Sequence, residues 1–193
     1  TGSAQTPSYT PEWTIVQTNS ITSSNPDNGR SVLTDASGNA YVTGVMNKVP
    51  GSADYYVGSF KYTKAGATSC SAYANGGNPG SCGGEAGNHA VVDGSGYVWV
   101  TGTYYDGTSG AGSLALWKYS SGGSLQGGYP KIYGSSGCTS GGTVAGGSAI
   151  AITGSDVYVC GSAYDNSTST WYYVVAKNNS GGAGWSWVFT YNN

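Results

Sequence analysis

Apolar and polar positions recur along this chain in three copies of one pattern. Each copy has a short apolar run, a polar Asp/Gly/Ser/Asn turn, and a second apolar run that ends at Gly44, Gly102 or Gly161. These glycines are 58 and 59 residues apart, and a fixed period of this kind is typical of repeated structural units. Two short β-branched runs joined by such a turn form a β-hairpin. The pattern therefore predicts a hairpin repeated three times.

Two further apolar runs complete each repeat, and the third run ends at a lysine that is expected to mark a solvated strand end. Alternation in the second run puts valines on one face and Tyr41, Trp99 or Tyr158 on the other. Because both faces are apolar, both must be covered, and stacked four-stranded sheets cover both. We predict an all-β fold of three four-stranded antiparallel propeller-like blades. The units cover about 29–75, 87–134 and 146–190.

The composition agrees with a β fold and excludes several functions. Leu and Phe are scarce, but 17 Tyr and 6 Trp supply apolar area, since each packed aromatic buries ~150–250 Å². The 34 Gly indicate many turns, and only 8% of residues are charged, with a net charge of -2. Nucleic-acid binding needs a basic stripe, and a transmembrane helix needs ~18 consecutive apolar residues. We expect neither a nucleic-acid partner nor a membrane span.

The repeat resembles a known family. The motif Asp-x-x-Gly-Asn-x-Tyr-Val-Thr-Gly of residues 35–44, followed by the run Asp54-Tyr-Tyr-Val-Gly-Ser-Phe-Lys61, is similar to the SBBP repeats of bacterial β-propellers. The third copy departs from the motif, with Thr153 at the turn Asp and Cys160 at the Thr. The resemblance implies a propeller fold and an extracellular or cell-surface location. It implies no reaction.

The N-terminal region contains one strand more than the three repeats need. Trp13-Thr-Ile-Val-Gln17 resembles the last run of the third repeat, so residues 13–17, with Trp13, Ile15 and Val16, are predicted to form a surplus strand after an extended arm, residues 1–12. Residues 13–193 form the repeat domain. Closed propellers usually have about four to eight blades. Three outcomes would account for the surplus strand: it pairs with another subunit, two chains close one ring, or the chain is a piece of a longer propeller. The alternative is a loose terminus with an edge strand.

The four cysteines, Cys70, Cys82, Cys138 and Cys160, are expected to form two disulfides in an oxidising compartment. Of the three connectivities, pairing by proximity joins Cys70 with Cys82 and Cys138 with Cys160. Zinc binding is the alternative, but the chain has no Cys-x-x-Cys pair and its one histidine is His89. We expect no metal and no cofactor.

No catalytic motif stands out, so we expect a protein that is not an enzyme. Asp35, Asp93 and Asp156 fall in hairpin turns, where Asp is favoured for backbone reasons. His89 occupies the position of Ser31 in the first repeat, without a serine-nucleophile motif. We therefore expect these residues to be structural.

The candidate binding residues follow the second strand of two repeats. Tyr105-Asp106 and Tyr164-Asp165 each combine an aromatic face with a carboxylate, which is suited to stacking on a sugar. Turn formation is the alternative interpretation of these residues. Asn166 and Asn178 match the acceptor pattern for N-glycosylation.

Together these features favour a secreted structural protein that self-associates through its terminal strands as a homo-oligomer, a filament or a surface-layer subunit. The main alternative is a carbohydrate-binding propeller lectin or adhesin whose partners are glycans. A third possibility is a fragment of a secreted hydrolase.

Overall fold

A computed structural model of the chain describes residues 27–47, 55–74, 86–106, 111–136, 145–165, 168–179 and 184–192. These residues form β-strands and no helix. The strands are β1 Asn28–Thr34, β2 Ala40–Asn47, β3 Tyr55–Tyr62, β4 Thr68–Ala74, β5 Ala86–Val92, β6 Val98–Asp106, β7 Ala111–Tyr119, β8 Lys131–Ser136, β9 Gly146–Thr153, β10 Asp156–Asp165, β11 Thr170–Asn179 and β12 Trp187–Tyr191. The all-β prediction is confirmed. The predicted arm 1–12 and surplus strand 13–17 lie outside the described residues.

The strands form three four-stranded antiparallel sheets, as the repeat predicts. Sheet 1 has the order β1-β2-β3-β4, sheet 2 the order β5-β6-β7-β8, and sheet 3 the order β9-β10-β11-β12. Each first strand contains a β-bulge directly after a glycine, Gly29, Gly87 or Gly147, which pairs with the repeat glycine of the second strand. This common register makes residues at the same repeat position directly comparable between sheets.

The hairpin turns of sheets 1 and 2 are held by their aspartates. Asp35 Oδ1 accepts hydrogen bonds from the backbone N–H groups of Ser37 and Asn39, both at 2.9 Å. Gly38 adopts a φ of 79° within this turn, a conformation that costs other residues free energy because of the Cβ atom. Asp93 makes the equivalent pair of bonds in sheet 2. The turn chemistry of the motif is therefore the chemistry that closes the hairpin.

The sheets pack face to face, and their first strands lie side by side. The backbone N–H of Ala90 donates to Ser31 Oγ across 3.3 Å, and the N–H of Ile150 donates to His89 Nδ1 across 3.2 Å. Asn88 Nδ2 also donates to the carbonyl of Gly147 at 2.7 Å. His89 and Ser31 thus make the same contact to the following sheet, which gives His89 the structural role expected from their shared position.

Candidate functional site

Two joints connect the three sheets, and both are built in the same way. We call the face that carries Tyr41, Trp99 or Tyr158 the aromatic face of its sheet, and the opposite face the valine face. At joint 1, Tyr41 and Val57 pack in one cluster with Val98 and Val100 of sheet 2. The residues that fill joint 2 are Trp99, Leu114 and Leu116 of sheet 2 with Val157 and Val159 of sheet 3. In each joint an aromatic face packs on the valine face of the next sheet.

The aromatic face of sheet 3 and the valine face of sheet 1 are the two outer faces, against which none of the other described strands packs. Val57 and Leu114 occupy the same position on their third strands and are fully buried, whereas the equivalent Tyr173 is 54% exposed. On the first strands, Ala90 and Ile150 are 3% and 5% exposed, whereas Val32 is 70% exposed. Each outer face is thus equivalent to one half of an internal joint.

The aromatic face of sheet 3 exposes four large apolar side chains: Tyr173 on β11, and Trp187, Phe189 and Tyr191, which alternate along β12. Trp187 also packs against Tyr158, with ring centroids 6.2 Å apart. Monomeric soluble proteins rarely expose a contiguous apolar patch of this kind without a function for it. This face is the first half of the candidate site.

The valine face of sheet 1 contains a groove of about 350 Å³. Gly29, Gly44 and Gly58 line it together with the exposed Val32. Phe60 and Tyr62 lie on the same face with their rings stacked at 6.4 Å. Sheet 1 therefore presents a concave apolar surface, whereas the opposite outer face projects aromatic side chains. Both surfaces are mainly apolar, as are the faces that meet at the internal joints.

A carboxylate, an aromatic ring and a lysine meet near the hairpin turn of each sheet. Asp93 Oδ2 accepts a hydrogen bond from Trp99 Nε1 at 2.9 Å, and Lys118 Nζ lies 4.5 Å from the Trp99 ring centroid. Asp35, Tyr41 and Lys61 form the equivalent group in sheet 1. The expectation of a solvated lysine is wrong for Lys118, because its side chain is buried against aromatic rings.

Sheet 3 keeps this group although Thr153 replaces the turn aspartate. Lys177 Nζ forms an ion pair with Asp156 Oδ2 at 2.8 Å and lies 5.7 Å from the Tyr158 ring centroid. The hydrogen bond to Asp156 raises the pKa of Lys177. The acid has moved along the sequence to the first residue of β10, and the ion pair replaces the hydrogen bond to the ring.

In the group of sheet 1, hydrogen bonding and burial shift the pKa values of Asp35 and Tyr41. Those from the Asn39 side chain, the turn backbone and the Tyr41 hydroxyl lower the pKa of Asp35 to about 2. Burial raises the pKa of Tyr41. Both effects stabilise the charged acid beside a neutral phenol, which is a structural arrangement and not that of a proton donor at neutral pH.

A polar cleft of about 310 Å³ lies where sheets 2 and 3 meet, lined by Asp93, Tyr97, Trp99 and Lys118 with the turn at Gly154. Sequence reasoning did not identify this cleft, because it is assembled from two repeats. Both carboxylate oxygens of Asp93 already accept hydrogen bonds from the protein, and Lys118 is held over two rings. The charged groups of the cleft are therefore committed to the fold.

The predicted sugar-binding residues differ in accessibility. Tyr105 is 2% exposed and burial raises its pKa, so the expectation that its ring stacks on a sugar is wrong. β6 continues to Asp106, which places Tyr105 inside a buried strand; the side chain of Asp106 lies outside the described residues. Tyr164 and Asp165 are partly exposed, and the Tyr164 ring lies 5.0 Å from that of Trp171. Only the second pair offers an aromatic surface.

The cysteine and glycosylation predictions are tested at one residue each. Cys160 has a free thiol, so the predicted disulfide with Cys138 is absent from the structure. Cys82 and Cys138 lie outside the described residues, as does the side chain of Cys70.

The described geometry contradicts glycosylation at Asn178, because its side chain is fully buried. Asn178 Oδ1 accepts a hydrogen bond from the Tyr129 hydroxyl at 3.0 Å, and Asn178 Nδ2 donates to the Gly184 carbonyl at 2.8 Å. Asn166 lies outside the described residues.

Comparison with known proteins adds no family. No protein-family model matches the chain, and no curated protein sequence matches it. The resemblance to SBBP repeats therefore stays a prediction from the quoted residues.

In the described ranges, no group of three or more His, Cys, Asp or Glu side chains is placed to hold a metal ion. A search of the same residues for a helix that could cross a membrane finds none.

Proposed function

We propose that this protein is a secreted structural subunit of propeller-like blades that associates with copies of itself. The observation that supports the proposal is the exposure of Tyr173 and Val32 at repeat positions that are buried in the internal joints. Burial of apolar area drives association, at roughly 25 cal/mol per Å², and the two outer faces have the same alternation as the faces that already pack together. The occupant best suited to each outer face is the other face of a second copy.

This arrangement is head to tail, since the aromatic face of one copy meets the valine face of the next. Such a heterologous contact forms a closed ring if the rotation between copies closes, and a fibre if it does not. Two copies would contribute six sheets, which lies within the range of about four to eight blades of closed propellers. The predicted strand 13–17 adds a second possible link between copies.

The proposal is tested by placing a charge on each outer face in turn. We expect the wild-type protein to sediment as species larger than a monomer, and Val32→Asp or Tyr173→Asp each to weaken association at least ~10-fold, because a buried unpaired charge is costly. The matched control is Leu125→Asp, at an exposed side chain in the loop between β7 and β8. Circular dichroism checks that all three variants fold.

Mixing the two face variants tests the head-to-tail direction. Each variant retains one intact face, so an equimolar mixture of Val32→Asp and Tyr173→Asp should form dimers that do not grow, although each variant alone associates at least ~10-fold more weakly than the wild type. A wild-type protein that stays monomeric at all concentrations would contradict self-association. Deleting residues 1–17 in the same assay measures what the predicted arm and strand contribute.

A carbohydrate-binding function is the second candidate, supported by the partly exposed Tyr164 and Trp171 rings beside Asp165. A glycan array with Tyr164→Ala and Trp171→Ala tests it, with Tyr105→Phe as the control because Tyr105 is buried. Loss of a glycan signal in the first two variants alone would favour this function.

A further inference from the structure

The internal joints contain a contact that fixes the register between sheets. Sheet 2 places Gly87 so closely against sheet 1 that a Cβ atom at this residue would lie 2.6 Å from Thr43 Oγ1 and 3.0 Å from Val57 Cγ1. At joint 2, a Cβ atom at Gly147 would lie 1.9 Å from Thr101 Oγ1. The second-strand threonine of one sheet therefore rests on the first-strand glycine of the next. A larger residue at these glycines would force the threonine of the neighbouring sheet to shift.

Gly29 occupies this glycine position in sheet 1, but none of the described residues requires a glycine there. A Cβ atom at Gly29 would meet only Val42 Cγ1, at an ordinary contact distance of 3.4 Å. Gly29 is exposed and lies in the groove of the valine face. The described residues therefore leave open at Gly29 the space that Thr43 and Thr101 fill at the internal joints.

The complementary half is present on sheet 3. Cys160 occupies the position of Thr43 and Thr101, and Tyr173 occupies the position of Val57. Both lie on the outer aromatic face, where the electrostatic interaction with Cys160 raises the pKa of Tyr173. The partly exposed Cys160 thiol is thus directed away from sheet 2.

We infer that Cys160 and Tyr173 of one copy rest on Gly29 of the next copy, in the register of joints 1 and 2. This inference rests on the proposed function and gives it a specific contact. The joint between copies also differs from the internal joints on the first strand, because Ala149 replaces the Ser31 or His89 acceptor and offers no side-chain acceptor to the N–H of Val32. The contact between copies therefore lacks the hydrogen bond that links the first strands at the internal joints.

The register is tested by converting Gly29 to cysteine while keeping Cys160. At joint 2 a Cβ atom at Gly147 would lie 3.1 Å from Thr101 Cβ, within a few tenths of an ångström of the ~3.5–4.5 Å that a disulfide requires. Under mild oxidation, Gly29→Cys should therefore form covalent multimers, and peptide mapping should find residue 29 linked to residue 160. The double variant Gly29→Cys/Cys160→Ser and the single variant Gly94→Cys, at an open turn position, should not.

A second variant avoids the dependence on cross-linking. Gly29→Val should weaken association at least ~10-fold and leave the unfolding temperature of the monomer unchanged, whereas Gly94→Val should change neither. Association without a link between residues 29 and 160, and without an effect of Gly29→Val, would overturn the register while leaving self-association intact. A chain that is monomeric before any substitution would overturn the proposed function itself, so the two failures are distinguishable.

Discussion

Replacing Asp93 by alanine should destabilise the middle sheet through the loss of three hydrogen bonds. Asp93 accepts from the backbone N–H groups of Ser95 and Tyr97 and from Trp99 Nε1, each at 2.9 Å. The turn N–H groups can bond to water in the variant, so each loss costs about 0.5–1 kcal/mol, but Trp99 is fully buried and its indole N–H loses its partner at a cost of about 1–3 kcal/mol. The expected loss in the free energy of unfolding is about 2–5 kcal/mol.

For a chain of this size that loss corresponds to a decrease in Tm of about 4–20 °C. The assay is thermal unfolding followed by circular dichroism, at a protein concentration where the variant and the wild type have the same oligomeric state. Thr153→Ala is the matched control, since Thr153 is exposed at the same repeat position, and it should cost less than ~0.5 kcal/mol. Equal Tm values for Asp93→Ala and Thr153→Ala would refute the claim that the turn carboxylate anchors Trp99.

Two further predictions concern the turn of sheet 1 and joint 2. The pKa of Asp35 is about 2 in the fold against an ordinary 3.8, so its contribution to stability is present above about pH 4 and is lost as the pH falls toward 2. Urea unfolding measured between pH 2 and pH 4 gives the free energy of unfolding at each pH. This free energy should change less with pH for Asp35→Asn than for the wild type. Gly147→Ala should cost about 1–3 kcal/mol through its clash with Thr101, and an effect as small as that of Gly94→Ala would contradict the close-contact argument.

The sheets were predictable from sequence because their determinants are local. Alternation within short runs sets which residues share a face, and the Asp–Gly turn sets the hairpin register, so the three sheets follow from the repeat. The strand ends were less predictable. β6 continues past the second run as far as Asp106, and β11 continues to Asn179. These extensions bury Tyr105 and Asn178, because pairing with the neighbouring strand outweighs the turn preference of the polar residues.

The candidate site was only partly predictable, because it depends on contacts between repeats. Sequence alternation indicates that both faces of every sheet are apolar, but it does not indicate which faces have a neighbour. Lys118 illustrates the difference, since its burial depends on the rings of Tyr97 and Trp99. The groove at Gly29 is a further example. In the sequence, Gly29 looks the same as Gly87 and Gly147, and only the space around each glycine in the fold shows that the joints require a glycine at the last two positions, whereas the described residues leave room for a side chain at Gly29.

The residues at the outer aromatic face differ from their internal counterparts in a way that would suit the proposed association, in which this face is exposed in the free subunit and covered in the assembly. Where the internal joint has Leu114, sheet 3 has Tyr173, whose ring packs like an apolar side chain and whose hydroxyl is hydrated when free. Tyr191 lies beside it on β12, at the outer edge of sheet 3, and is also exposed. A leucine at either position would expose apolar area to water in the free subunit, and it has no hydroxyl group to be hydrated. The tyrosines therefore lower the risk of nonspecific aggregation while retaining most of the apolar area that a specific joint would bury.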